Sequence, residues 1–166
     1  MSETRTIYLI RHGQTEWNRA KRLQGSKDSP LTEMGRHQAA RIAQALESAP
    51  PSHILTSPLG RAKTTASMIA GHLSIDDEED ARLAEMRFGA AEGLTADEID
   101  ARWPGFRKKR EQDKWHIRWP DGECYDDVDR RMASLINDAI APQLNLRAAR
   151  PFAIVAHEAA NIVLLG

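Results

Sequence analysis

Three short apolar runs decide what this chain can fold into: TIYLI at 6–10, HILTS at 53–57 and FAIVA at 152–156. Each has the length of a strand, and the stretches between them place apolar residues at helical spacing. That alternation predicts an α/β fold around a mostly parallel central sheet. The first helix lies in SPLTEMGRHQAARIAQALESAPP, with Thr32 as N-cap, Met34, Ala39, Ile42, Ala43 and Leu46 in register, and Pro50 and Pro51 as the stop. A second opens directly after HILTS, with Ser57 as N-cap and Pro58 as first helical residue, and runs to about Leu73 along Ala62, Ala66 and Ile69. A third carries Val128, Met132, Leu135 and Ala139 and is expected to end at Pro142. TADE at 95–98 reads as a capping box, and DDEED at 76–80 as a solvated loop.

Composition excludes several classes of function. With 23 Lys+Arg against 24 Asp+Glu over 166 residues, the net charge of −1 gives no argument for nucleic-acid or membrane-surface binding. One cysteine, Cys124, cannot form an internal disulfide and reads as an inert small residue. The apolar runs are far too short to span a bilayer, and MSETRTIYLI lacks the layout of a signal peptide, so we expect a single cytoplasmic domain over residues 1–166. No two histidines have the spacing of a metal-ligand pair, and His37, His53, His72 and His116 read as ordinary surface or core residues. Residues 102–122 break periodicity and mix seven Lys and Arg with Trp103, Trp115 and Trp119. With near-neutral net charge, we read that segment as a lid over a small-molecule site.

The strand ends carry the chemistry. Two of the apolar strands stop at a histidine, in LIRHG and IVAHE, so His12 and His157 face one another if the strands are neighbours. Ligands of open parallel sheets bind in the crevice beyond the carboxyl ends of the strands. HILTS would deliver Arg61 to the same crevice, where it and Arg11 could clamp a tetrahedral dianion. A neutral imidazole can attack phosphorus if its other ring nitrogen is held by an acceptor. A carboxylic acid must protonate the leaving oxygen, and Glu85 in LAEMRFGAAEGLT is the candidate.

Five blocks in order, RHGQTEWN, LQGSKDSPLTEMGRHQA, SPLGRAKTTA, LAEMRFGAAEG and VAHEAAN, resemble the histidine phosphatase superfamily in its phosphoglycerate-mutase-like branch. The resemblance covers nearly the whole chain and implies a three-layer α/β/α sandwich. It implies that His12 is the phosphorylated nucleophile, Arg11, Arg61 and His157 the phosphate pocket, and Glu85 the proton donor. Asn18, Gln24 and Gly25 would border the substrate, a small phosphorylated metabolite, with neither metal nor cofactor required. The activity expected is a phosphatase working through phosphohistidine; the alternatives are a phosphoglycerate mutase and a non-catalytic phosphate-binding module.

The chain departs from the family pattern at three places. His157-Glu158-Ala159 stands where His-Gly is usual, and Gly122-Glu123-Cys124 where Gly-Glu-Ser is frequent. The sequence ends at Gly166, where relatives usually add another strand, so we expect the exposed sheet edge to be covered by a second copy of the chain or by further residues. Residues 159–165 are expected to form a helix on the sheet face, with Glu158 pointing outward.

Overall fold

The computed structural model describes residues 6–144 and 151–165. Four parallel strands, β1 (Ile7–Arg11), β2 (His53–Thr56), β3 (Asp76–Glu79) and β4 (Phe152–Ala156), form one sheet in the order β1-β4-β2-β3. Strand β4 lies between β1 and β2 and is buried at all five residues, because both of its faces are covered. Its side chains alternate. Ala153 and Val155 face α2 (Glu33–Leu46) and α3 (Gly60–Leu73), packing with Ala43, Ala62, Ala66 and Ile69. Phe152, Ile154 and Ala156 face α6 (Tyr125–Leu135) and α8 (Glu158–Leu164), packing with Val128, Met132, Leu135 and Val163. The result is the expected three-layer α/β/α sandwich.

The remaining elements connect these layers. They are the short helix α1 (Glu16–Arg19), two 3-10 turns at Ala81–Leu83 and Gly89–Ala91, and the helices α4 (Ala96–Arg102), α5 (Phe106–Gln112) and α7 (Ala141–Leu144). Helix α4 begins with the expected capping box of Thr95 and Glu98, and α2 with the expected Thr32 cap on Gly35 N. The loop after β1 packs against α2 backbone to backbone. A Cβ on Gly13 would sit 2.3 Å from Gly35 O, and one on Gly35 would sit 2.1 Å from Gln14 O, so both positions require glycine. Among the described residues no helix is long and apolar enough to cross a membrane.

Three sequence expectations need correction. Residues 76–79 are not a loop but the edge strand β3, paired in parallel with β2 although all four side chains are exposed acids. Charge on an edge blocks further pairing without preventing the inner pairing, which is why an acidic run can be a strand here. Helix α3 starts at Gly60 rather than Pro58, because the Ser57 hydroxyl is engaged by His157 and the cap comes from elsewhere: Asp28 accepts from Arg61 N at 3.2–3.3 Å. Pro142 does not end its helix. Ile136–Ile140 widens into a π turn just before it, accommodating a residue that would otherwise clash within a regular α-helix, and α7 continues to Leu144. Within its described part, the segment after His157 is helical and buries Ala159, Ala160 and Val163 as expected.

Candidate functional site

The register of the sheet brings the histidines together. Arg11 pairs with Ala156 and Thr56 with Val155, so β1, β4 and β2 end level. His12 N and Ser57 N extend the pairing by donating to Ala156 O and Val155 O, each at 3.1 Å. The residues at the ends of these strands are therefore His12, His157 and Ser57; His12 lines the cavity described below, whereas His157 and Ser57 are fully buried and are not among its lining residues. The two imidazole rings lie 5.2 Å apart between centroids.

His12 is buried and its ring is held at both nitrogens. Nδ1 lies 2.8 Å from its acceptor Gly13 O, and Gly13 N donates to Thr65 Oγ1 at 3.1 Å, which fixes the loop. Arg61 Nε donates to Nε2 at 3.3 Å. The proton therefore sits on Nδ1 and the lone pair on Nε2. Burial, with the nearby Arg61 and Arg11 charges, lowers the His12 pKa to about 4, so the ring is neutral at pH 7.

Arg61, only 2% exposed, organises the site more than it clamps a ligand. Its Nη2 donates to Gly25 O at 2.8 Å, and Nη1 to Lys27 O at 2.8 Å and Asp28 Oδ1 at 3.0 Å. Asp28 thus caps α3 and anchors its first arginine at once. Gly25 has φ +58 and sits where a Cβ would meet the Glu92 carboxylate at 2.2 Å. That carboxylate accepts from Ser26 N and Phe88 N at 2.9 and 3.1 Å, pinning the turn under the site.

His157 is fully buried, and its Nε2 lies 2.7 Å from Ser57 Oγ. Ser57 Oγ also accepts from Leu59 N at 3.3 Å, so its own hydrogen is available to His157 Nε2. The ring proton then lies on Nδ1, which has no partner among the described residues. Burial first, and the Arg61 charge second, push the His157 pKa well below the ordinary range. His157 is accordingly held as the neutral ring.

Glu85 is buried, and Oε1 accepts from Met86 N at 2.9 Å and Ala159 N at 3.2 Å. Desolvation nonetheless raises its pKa, with Glu158 adding to the rise, and this favours the protonated acid. Glu85 does not pair with Arg82 or Arg87, which bind Asp80 and Glu123.

Arg11 departs from expectation. Its Nη1 makes an ion pair with Glu158 Oε2 at 2.8 Å, with side chains 51% and 60% exposed. Glu158 is exposed as expected but not idle, since it occupies an arginine expected to bind phosphate. Both residues line a cavity of about 270 Å³ with His12, Arg61 and Glu85. Asn18, Gln24 and Gly25 line it too. Asn18 is fixed by its capping box with Thr15, and Gln24 by Ser29 Oγ at 3.3 Å. The outer wall comes from the basic tryptophan-rich segment and its neighbours, through Arg110, Lys114, Trp119 and Tyr125. Sequence reasoning missed Ser57, Asp28 and Glu92 as partners of the site, and read Ser57 as a helix cap. Among the described residues, no group of three or more His, Cys, Asp or Glu could hold a metal ion.

The model of the histidine phosphatase superfamily, branch 1, matches residues 7–166. The chain is 39% identical over 132 residues to a probable phosphoglycerate mutase GpmB of Photorhabdus laumondii, covering 80% of this chain and 61% of that protein. It thus spans about three fifths of the length of the curated relatives it matches. Among solved structures it resembles a mycobacterial glucosyl-3-phosphoglycerate phosphatase complexed with VO3, at TM-score 0.89 and 33% identity over 98% of this chain and 79% of that one. It also resembles YhfR of Bacillus stearothermophilus, at TM-score 0.85 and 34% identity over 98% and 78% of the two chains.

Proposed function

Because the chain belongs to the histidine phosphatase superfamily, we propose that it hydrolyses a small phosphomonoester through a phosphohistidine at His12. The observation that carries this reading is the state of His12: a neutral ring, its proton tied to Gly13 O and its Nε2 lone pair turned to the cavity beside Arg61. In the first step Nε2 attacks phosphorus and the bond to the leaving oxygen breaks, while the Glu85 carboxylic acid protonates that oxygen. In the second step the Glu85 carboxylate takes a proton from water, the water oxygen attacks phosphorus, and the P–N bond breaks to release phosphate. Arg61 Nε gives up its bond to Nε2 as the attack begins and is left facing the phosphoryl oxygens. Arg11 and neutral His157 add donors to the same oxygens.

The non-catalytic reading is disfavoured by Glu85. A pure binding site has no use for a buried acid whose pKa is raised beside the phosphate position. The mutase reading is supported by the relatives named probable phosphoglycerate mutase. Incubation with an aryl phosphate and, separately, with 3-phosphoglycerate tests the proposal. Release of inorganic phosphate from either supports a phosphatase, and interconversion of phosphoglycerates without net release supports a mutase. Binding with neither reaction overturns catalysis.

A further inference from the structure

We propose that Arg131 is a positioning residue for the general acid: together with Glu123 it fixes, from behind the cavity, the backbone that carries Glu85. The proposal rests on the phosphomonoester reading above. Glu85 and Met86 line the cavity, whereas Arg131 and Glu123 do not, so any effect of theirs on the reaction passes through the Glu85 segment. Arg131 lies on α6 with its side chain 19% exposed. Its Nη1 donates to two carbonyl oxygens of one turn, Arg82 O and, at 2.6 Å, Ala84 O, the residue just before Glu85. The Arg82 side chain ties the same turn back to the helix, donating to Ser134 Oγ at 3.1 Å and Asp138 Oδ2 at 2.9 Å.

The Gly122-Glu123 turn grips the other end of the segment in both directions. Glu123 Oε2 accepts from Arg87 N at 2.9 Å, and Glu123 N donates to Arg87 O at 2.8 Å. A Cβ on Gly122 would sit 2.4 Å from that same carbonyl oxygen, so glycine is what lets the turn come this close. Glu85 therefore lies between two ties. Its carboxyl spends one oxygen on the protein: Oε1 accepts from Met86 N and Ala159 N, and among the described residues Oε2 has no hydrogen-bond partner. Oε2 is the oxygen left to meet the leaving group and water. An acid acts only within hydrogen-bond reach of the atom it protonates, and a misplacement of about 1 Å can cost about a hundredfold. A buried guanidinium is a weak stabiliser beside apolar packing of the same volume. Arg131 Nη2 makes no hydrogen bond, and Glu123 Oε2 stands 3.7 Å from it. What Arg131 contributes is the place of two carbonyl oxygens, and so of the acid that follows them.

The test compares an alkyl phosphate with an activated aryl phosphate, whose departure needs little protonation, in wild type, R131M and R131K. R131M should lower kcat on the alkyl ester about tenfold more than on the aryl ester, with R131K restoring part of the difference. The inhibition constant of inorganic phosphate should change about twofold or less. In a Glu85→Gln background R131M should leave the alkyl-to-aryl ratio unchanged, since the positioned group is gone. Equal losses on both esters, or a further drop of the ratio in the Glu85→Gln background, overturn the proposal and make Arg131 a packing residue. Amide exchange reads the same hold without turnover. Met86 and Ala159, whose N–H groups hold the carboxyl, should exchange about tenfold faster in R131M when referred to Ile154 of β4. If no ester is turned over by the wild type, the phosphatase reading fails by itself, and unchanged exchange at these two amides still refutes the role of Arg131.

Discussion

Replacing Glu158 by glutamine should tighten phosphate binding, by an amount set by one ion pair. Glu158 Oε2 holds Arg11 Nη1 at 2.8 Å with both side chains more than half exposed. A pair that wet is worth about 0.2–1 kcal/mol, which an arriving phosphoryl group must offset before it can recruit Arg11. Glutamine keeps the length and removes the charge. The inhibition constant of inorganic phosphate should therefore fall about 1.4- to 5-fold at low salt, the same energy converted to an equilibrium constant. Screening is nearly complete at about 1 M salt, so the gain should shrink there. The assay is competitive inhibition of aryl phosphate hydrolysis at both ionic strengths. An unchanged constant at low salt would show that Glu158 does not withhold Arg11. Weaker binding would show that it aims Arg11 at the ligand. A gain of about a hundredfold would place the carboxylate against the phosphate itself, where repulsion reaches several kcal/mol.

Other expectations follow from the same geometry. The nucleophile must be neutral and the acid protonated, so kcat/KM should rise with pH through about 4, the His12 value, and fall again through the raised Glu85 value. Glu85→Gln should abolish the alkaline limb and slow alkyl phosphates far more than an activated aryl phosphate; equal slowing of both would assign Glu85 to binding. Because the His12 pKa is depressed on folding, its contribution to stability is present above pH 6.5 and lost as pH falls towards 4, on the order of 3 kcal/mol. Denaturant unfolding of His12→Asn should accordingly depend less on pH across that window, and an unchanged dependence would contradict the burial argument. Asp28→Asn, which removes the charge that caps α3 and holds Arg61, should lower kcat about tenfold or more while barely changing melting cooperativity. A purely structural role would lower stability and leave kcat per folded molecule intact. Extensive chelation should leave the rate unchanged, since Arg11 and Arg61 supply the positive charge; recovery only on adding zinc or magnesium would refute that.

The three apolar strands and the starts of helices α2 and α4 were legible because local signals, apolar runs and Thr caps, agreed with tertiary packing. The histidines were legible because each ends such a run. What could not be read locally was settled by long-range partners. Ser57 has the sequence of an N-cap, but His157, a hundred residues away, takes its hydroxyl. The acidic 76–79 run has no strand pattern and is one because β2 offers it an edge. Arg61 was read as a clamp for the ligand, but the turn at 25–28 consumes most of its donors. Arg110 lay in a segment without periodicity, and only the fold shows that it is buried and, among the described residues, unpaired by acid.

The central claim, that His12 becomes phosphorylated, is tested most directly by rapid quenching during turnover of labelled substrate. A phosphoprotein that is labile to acid, stable to base, located on the peptide containing His12 and absent from His12→Ala is the predicted result. An acid-stable adduct, or the same signal in the alanine variant, would contradict it.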